Sequence, residues 1–319
     1  MANKGVTGRD EKKDSDGSKR WLKIALAVLF ALIMLVVPLS IIMNPPPTGS
    51  GSQYAAERPF RSVEDGLAMI PAGAEYFRYV DLEADASIAN WTLANLKGSL
   101  PNASLFGAQV KKDAIAVYPF PQFGFFRMPG NIQVVSLADF GPGFDNKSYP
   151  STTRDGVAMR SINDNYAFTT DTSPAVHGMP QIVAPIGSFM MNGNARSSAY
   201  YDYADLFEQI ASDPQTASGA RFAVVGRAGS LEFGDRYYAG VTPLNDTCSY
   251  KIVVHLNRTL NETEKQTYKS RWEQSALYLY QFPYYSVKFT DEYLLVDARA
   301  DAETCLNDLY YNWPGLLRG

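Results

Sequence analysis

The stretch "CSYKIVVHL", Cys248–Leu256, alternates along its length. Cys248, Tyr250, Ile252, Val254 and Leu256 fall on one side, while Lys251 and His255 fall on the other. That period of two is the mark of a strand lying with one face on a core. The following "NRTLNETEK" places Asn261 three residues before Glu264, a helix cap with its capping-box partner. A helix is therefore expected over about 262–281, where Tyr268, Trp272, Ala276 and Leu279 recur at helical intervals and Pro283 closes the run. "SVKFTDEYLLVDA", 286–298, reads as a hairpin around Asp291, and "DAETCLNDLYY", 301–311, as a helix with Ala302, Cys305, Leu306 and Leu309 on one stripe. Strand, helix, hairpin and helix in that order define an α+β body of antiparallel sheets.

Working back along the chain, "EYFRYVDL", 75–82, is a strand and 85–97 a helix ended by Gly98. Ile88, Ala89, Thr92, Leu93 and Leu96 form its apolar stripe, with Asn90 pointing away. "LFGAQVKKDAIAVYP", 105–119, reads as a hairpin turning at Lys111 to Asp113. The order repeats that of the C-terminal part, so the body is expected to hold two β-α-β-β units, with subdomains over 59–200 and 201–319. Between them, "GVAMRSINDNYAFTTD", 156–171, is a hairpin turning at Asn163 to Asn165, and "YYDYADLFEQIASDP", 200–214, is a helix turning Tyr203, Leu206, Phe207 and Ile210 inward.

The N-terminal end is of another kind. "IALAVLFALIMLVVPLSIIM", 24–43, carries no charge over twenty residues, enough to cross a hydrocarbon core about 30 Å thick. Lys19, Arg20 and Lys23 flank one side and the uncharged "NPPPTGSGSQ" the other. The positive-inside rule then makes 1–20 a disordered cytoplasmic tail, 21–43 a transmembrane helix held by the lipid bilayer, 44–58 a Pro/Gly/Ser linker and 59–319 a body outside the cytoplasm, on the cell membrane. A cleaved signal peptide is the competing reading. Its apolar region is usually about 7 to 15 residues, and no A-x-A site follows this one. Up to Met43 the net charge is +3 and beyond it −7. An acidic body without a basic stripe excludes nucleic acid as the expected partner.

Placement outside the cytoplasm gives meaning to two weaker signals. Six of sixteen asparagines, Asn90, Asn102, Asn146, Asn245, Asn257 and Asn261, sit in N-x-S/T sequons, which is the pattern of a glycoprotein. Of the last two, four residues apart, Asn257 is the expected sugar acceptor because Asn261 has a helix to cap. The chain has two cysteines, Cys248 and Cys305, both turned toward a core. An oxidising compartment would join them as a strand-to-helix disulfide, the other reading being two separate buried thiols. "YPFPQFGFFRMPG", 118–130, alternates poorly, and Phe120, Phe123, Phe125, Phe126 and Met128 form either a loop tucked onto the core or a partner-contact patch.

Chemistry is sparse. The chain holds two histidines and neither G-x-S-x-G nor S-x-x-K, H-E-x-x-H, paired C-x-x-C or a P-loop. His255 reads as a half-exposed strand residue and His177 lies between Gly and Pro signals. "DLEADAS" and "DARADAE" lack the glycine turn of a calcium loop and read as helix caps. No catalytic residue, cofactor or metal site is expected. The role that remains is a non-catalytic binding or structural one in the cell envelope, toward a protein or glycan. A carboxylate-based hydrolase and a subunit or sensor of a larger complex are the alternatives.

"GLAMIPAGAEYFRYVDL", 66–82, with its Pro-Ala-x-Ala start and aromatic strand ending in Asp-Leu soon after an anchor, resembles uncharacterised extracytoplasmic domains of prokaryotic envelope proteins. The stretch "DGVAMRSINDNYAFTTD", 155–171, is similar to a hairpin of that group, and the many sequons on an acidic, Tyr-rich body resemble archaeal members. The group has no established activity to transfer.

Overall fold

The computed structural model describes residues 56–102, 106–119, 132–141, 144, 149–193, 195–211, 219–228 and 233–312. The expected tail and membrane helix, the first part of the linker, Asn146, and the loop carrying Phe120, Phe123, Phe125, Phe126 and Met128 lie outside the described residues.

The C-terminal unit follows its alternation. β12 (Cys248–Leu256) leads into α5 (Glu262–Gln274), β13 (Tyr284–Phe289), β14 (Tyr293–Ala300) and α6 (Ala302–Asn307). Asn261 caps α5 with both capping-box bonds present, and Asp301 caps α6 through a 2.9 Å bond from the Thr304 N–H. Beyond Gln274 and Asn307 the helical path continues as single π-type turns, Ser275–Leu279 and Asp308–Asn312.

Earlier in the chain lie β1 (Ala56–Glu57), α1 (Val63–Ala68), β2 (Tyr76–Asp81), α2 (Ala86–Asn95), β3 (Val110–Pro119) and β4 (Ile132–Phe140). Then come β5 (Ser151–Arg154), β6 (Val157–Asn163), β7 (Tyr166–Thr169), β8 (Thr172–Ser173), β9 (Ala175–Gly178), α3 (Pro180–Asn192), α4 (Tyr200–Ala211), β10 (Phe222–Arg227) and β11 (Gly234–Pro243). Among the described residues, twelve strands form one sheet in the order β13-β14-β12-β11-β10-β2-β3-β4-β9-β7-β6-β5, and every neighbouring pair in it is antiparallel. β1 and β8 make a small parallel pair beside it.

The sheet is buried on both faces at its central strands β2, β10, β11 and β12, and the two sets of alternating residues enter different cores, whereas β5 at one edge is exposed throughout. Phe77, Tyr79, Ala223, Val225, Tyr238 and Val253 join one core with residues of α1, α3 and α4. Val80, Phe222, Val224, Ile252 and Val254 join the other with residues of α2, α5 and α6. α3 comes close enough to the sheet that a Cβ on Gly187 would stand 2.8 Å from Val157 Cγ1.

The structure changes four expectations. Lys111 to Asp113 is no turn: those residues run inside β3, paired across to β2 and β4. The two β-α-β-β orders are both present, but their pairings differ. β2 lies next to β3, whereas β12 lies next to β14 and not β13. The sheet also runs unbroken across residue 200, since β2 is hydrogen-bonded to β10. Finally, α2 is rotated from its expected stripe: Trp91 is buried and Leu93 is 49% exposed. Trp91 is held by an edge-on contact with Phe222 at 5.8 Å and a 2.8 Å bond from its Nε1 to Asn307 Oδ1.

Candidate functional site

The rotation of α2 leaves Leu93 on the wall of a cleft of about 870 Å³. α2 and the turn after it form one side, and the start of β3 with the end of β4 the other. Leu82, Leu100 and Val110 make further apolar wall, while Glu83, Lys97 and Lys111 are the charged groups of the lining. Lys111 Nζ lies 2.9 Å from a Glu83 carboxylate oxygen, and Lys97 is exposed. Glu83 is the one carboxylate among the described residues of this lining.

On the same side of the sheet, Arg78 of β2 and Asp113 of β3 form an ion pair of 3.2 Å with both side chains almost wholly shielded from solvent. Burial raises the Asp113 carboxyl to about 7, against the pull of the Arg78 guanidinium. Asp113 Oδ1 and Arg78 Nε have no hydrogen-bond partner among the described residues. Further along, His177 and Tyr166 share a 2.6 Å hydrogen bond through His177 Nδ1. Burial pushes His177 down to about 3 and Tyr166 up to about 12. Phe106, Phe140, Phe144 and Phe168 surround this pair, with Phe140 and Phe144 stacked at 4.5 Å and Phe106 centred 5.7 Å from the imidazole. His177 is thus a buried group packed among aromatic rings and hydrogen-bonded to a phenol.

A second polar network lies outside, on the opposite face. Arg236 Nη1 donates to Asp205 Oδ1 at 2.9 Å, Tyr293 donates to Asp205 Oδ2 at 3.2 Å, and His255 Nδ1 lies 2.8 Å from Asp235 Oδ1. His255 is half-buried, as its place in β12 implied. Solvent-facing pairs of this kind fix the position of α4 and contribute little net energy. No group of three or more His, Cys, Asp or Glu side chains that could hold a metal is present among the described residues. The acidic stretches expected to be caps are caps: Asp85 accepts from the Ser87 and Ile88 N–H groups at 2.9 and 3.0 Å.

The other expected site residues are dispersed. Asn90, Asn102, Asn245, Asn257 and Asn261 are all exposed, and Asn102 lies on the cleft rim. Asn261 caps α5 through Oδ1, which accepts from the Glu264 N–H at 2.9 Å. Cys248 and Cys305 are both buried and are free thiols in this structure. Arg78 and Asp113 were not singled out from the sequence. The signal in the sequence is a lone charge, Arg78, inside an apolar strand, whereas Asp113 follows Lys111 and Lys112 in a run of three charges that reads as a turn.

No protein-family model matches the chain, and no curated protein matches it. Among solved structures, crystal form I of TP0453 is 12% identical, with a TM-score of 0.42 over 79% of this chain and 97% of that one. Crystal form IV of the same protein is 11% identical, with a TM-score of 0.41 over 79% and 96%.

Proposed function

We propose that the chain is a single-pass membrane protein whose body lies outside the cytoplasm and binds another protein of the cell envelope in the cleft beside α2, without chemistry of its own. The make-up of that cleft carries the reading. Its walls are aliphatic, its charges sit at Glu83, Lys97 and Lys111, and a carboxylate-based hydrolase would need a second acid about 5 to 10 Å from the first. Exposed Leu93 opposite Val110 suits the side chains of a protein segment better than sugar hydroxyls. Residues 21–43 supply the anchor, and the exposed sequon asparagines fit a glycosylated outer surface.

The test is a photo-crosslinking amino acid at position 93 in intact cells, with a control at exposed Asp246 in the β11–β12 turn. A discrete, protease-sensitive adduct at 93 and none at 246 is expected. No adduct at 93, or equal labelling at both, removes the cleft from the function; an adduct that only glycosidases shorten replaces the protein partner with a glycan.

A further inference from the structure

Cys248 opens β12 and is paired across the ladder with Ala300, the last residue of β14. The chain then turns back into α6, with the Cys305 N–H donating to the Asp301 carbonyl at 3.1 Å. The Cys305 sulfur is hydrogen-bonded by the backbone of that same Ala300. Cys248 therefore lies across the ladder from the β14 end of the turn into α6, Cys305 lies in the first turns of that helix, and both belong to a single apolar cluster. The chain has no third cysteine. A metal would need further ligands, and none joins the pair among the described residues.

We propose that Cys248 and Cys305 become an intramolecular disulfide while the chain folds, and that the folded dithiol form is closed to later oxidation. The supply of oxidant rests on the reading of the body as extracytoplasmic; the pairing itself does not. The oxidant is a disulfide-bearing thiol oxidoreductase. One cysteine thiolate attacks its S–S bond, giving a mixed disulfide and releasing one carrier thiolate. The second cysteine thiolate then attacks the first cysteine's sulfur, the Cys248–Cys305 bond forms and the other carrier thiolate leaves. Two protons leave the cysteines, and two electrons reduce the carrier disulfide to a dithiol.

Each attack needs a thiolate and an open line of approach. The folded body offers neither: Cys248 is 4% exposed and Cys305 fully buried, and burial raises both thiols, Cys248 to about 11. Exchange must therefore precede the docking of α6. Closing a loop of this length restricts the unfolded chain and is expected to raise the melting midpoint by roughly ten degrees.

The test uses the full chain in detergent, unfolded in reductant and refolded either in a glutathione redox buffer or in reductant. The first arm is expected to yield a protein with no alkylatable thiol after denaturation until reductant is added, and then two. The second should yield a folded dithiol that keeps both thiols through hours in oxidised glutathione. Two free thiols in a correctly folded first-arm product would overturn the pairing, and ready oxidation in the second arm would overturn the folding order. If the denatured chain does not refold, alkylation of nascent chains in cells gives the same reading: free thiols on new chains that disappear with chase support the proposal, and thiols that persist oppose it. Chain taken from cells as a dithiol, while the first arm closes the bond, would leave the pairing standing and count against the extracytoplasmic reading.

Discussion

Arg78 and Asp113 form the most tightly shielded charge pair among the described ion pairs. Removing one partner strands the other, which is more damaging than replacing both by apolar groups. Arg78→Met is therefore expected to cost about 3 kcal/mol at pH 8 by chemical denaturation. The pH dependence has a fixed sign. Asp113 titrates near 7 in the fold against 3.8 when unfolded, so the folded state binds the extra proton and stability falls as pH rises between those values. Without Arg78 the folded value moves higher still, and the loss should grow above pH 7 and shrink near pH 5. A loss that is flat with pH would mean that Asp113 is not the group responding. The pair was half legible: Arg78 stands out in "EYFRYVDL", but nothing local tells that the strand across from it will bring an acid, because that pairing is a long-range fact.

Element identity followed closely from period and caps. The strand at Cys248–Leu256 and the helix opened by Asn261 were readable because alternation, capping box and closing proline agree. α2 was not, since Trp91 and Leu93 offer competing stripes and the winner is decided by Phe222 and Asn307, far away in sequence. Two changes test how elements are held. Asn261→Ala removes the cap of α5 and should cost about 1 kcal/mol, whereas Asn257→Ala, outside the capping bonds, should change stability by less than about 0.5 kcal/mol. Gly187→Leu pushes α3 against Val157 and Thr169, where even a Cβ would lie 2.8 and 3.1 Å from side-chain carbons. A loss of about 2 kcal/mol is expected, measured by thermal melting; a neutral result would mean that α3 can lift from β6 and β7 freely.

At the scale of the molecule, the α+β class was legible, whereas the single twelve-stranded sheet was not. The expected halves have the same element order, and order alone does not say that β2 will pair with β10 or that β12 will skip β13 for β14. The cleft escaped for the same reason: its walls come from 82–102, 109–111 and Gly141, brought together only by the sheet. Topology has a direct measurement. Protease added to intact cells should digest the body and spare residues 1–20. Protection of the body with the cells closed would reverse the orientation assigned from Lys19, Arg20 and Lys23.

β13 ends the sheet on one side, and the outermost N–H of Val287 is not left bare: a Glu273 oxygen from α5 accepts it at 3.1 Å. A free edge donor is an invitation to a stray strand from a neighbouring molecule. The carboxylate does there what a lid does for an adhesive surface, occupying the donor and presenting negative charge to anything approaching end-on. α5 thus has a social task besides its internal one. It buries Trp272 toward its own core, and one residue along, Glu273 occupies a backbone donor at the edge of β13, which makes that point a poorer template for a second strand.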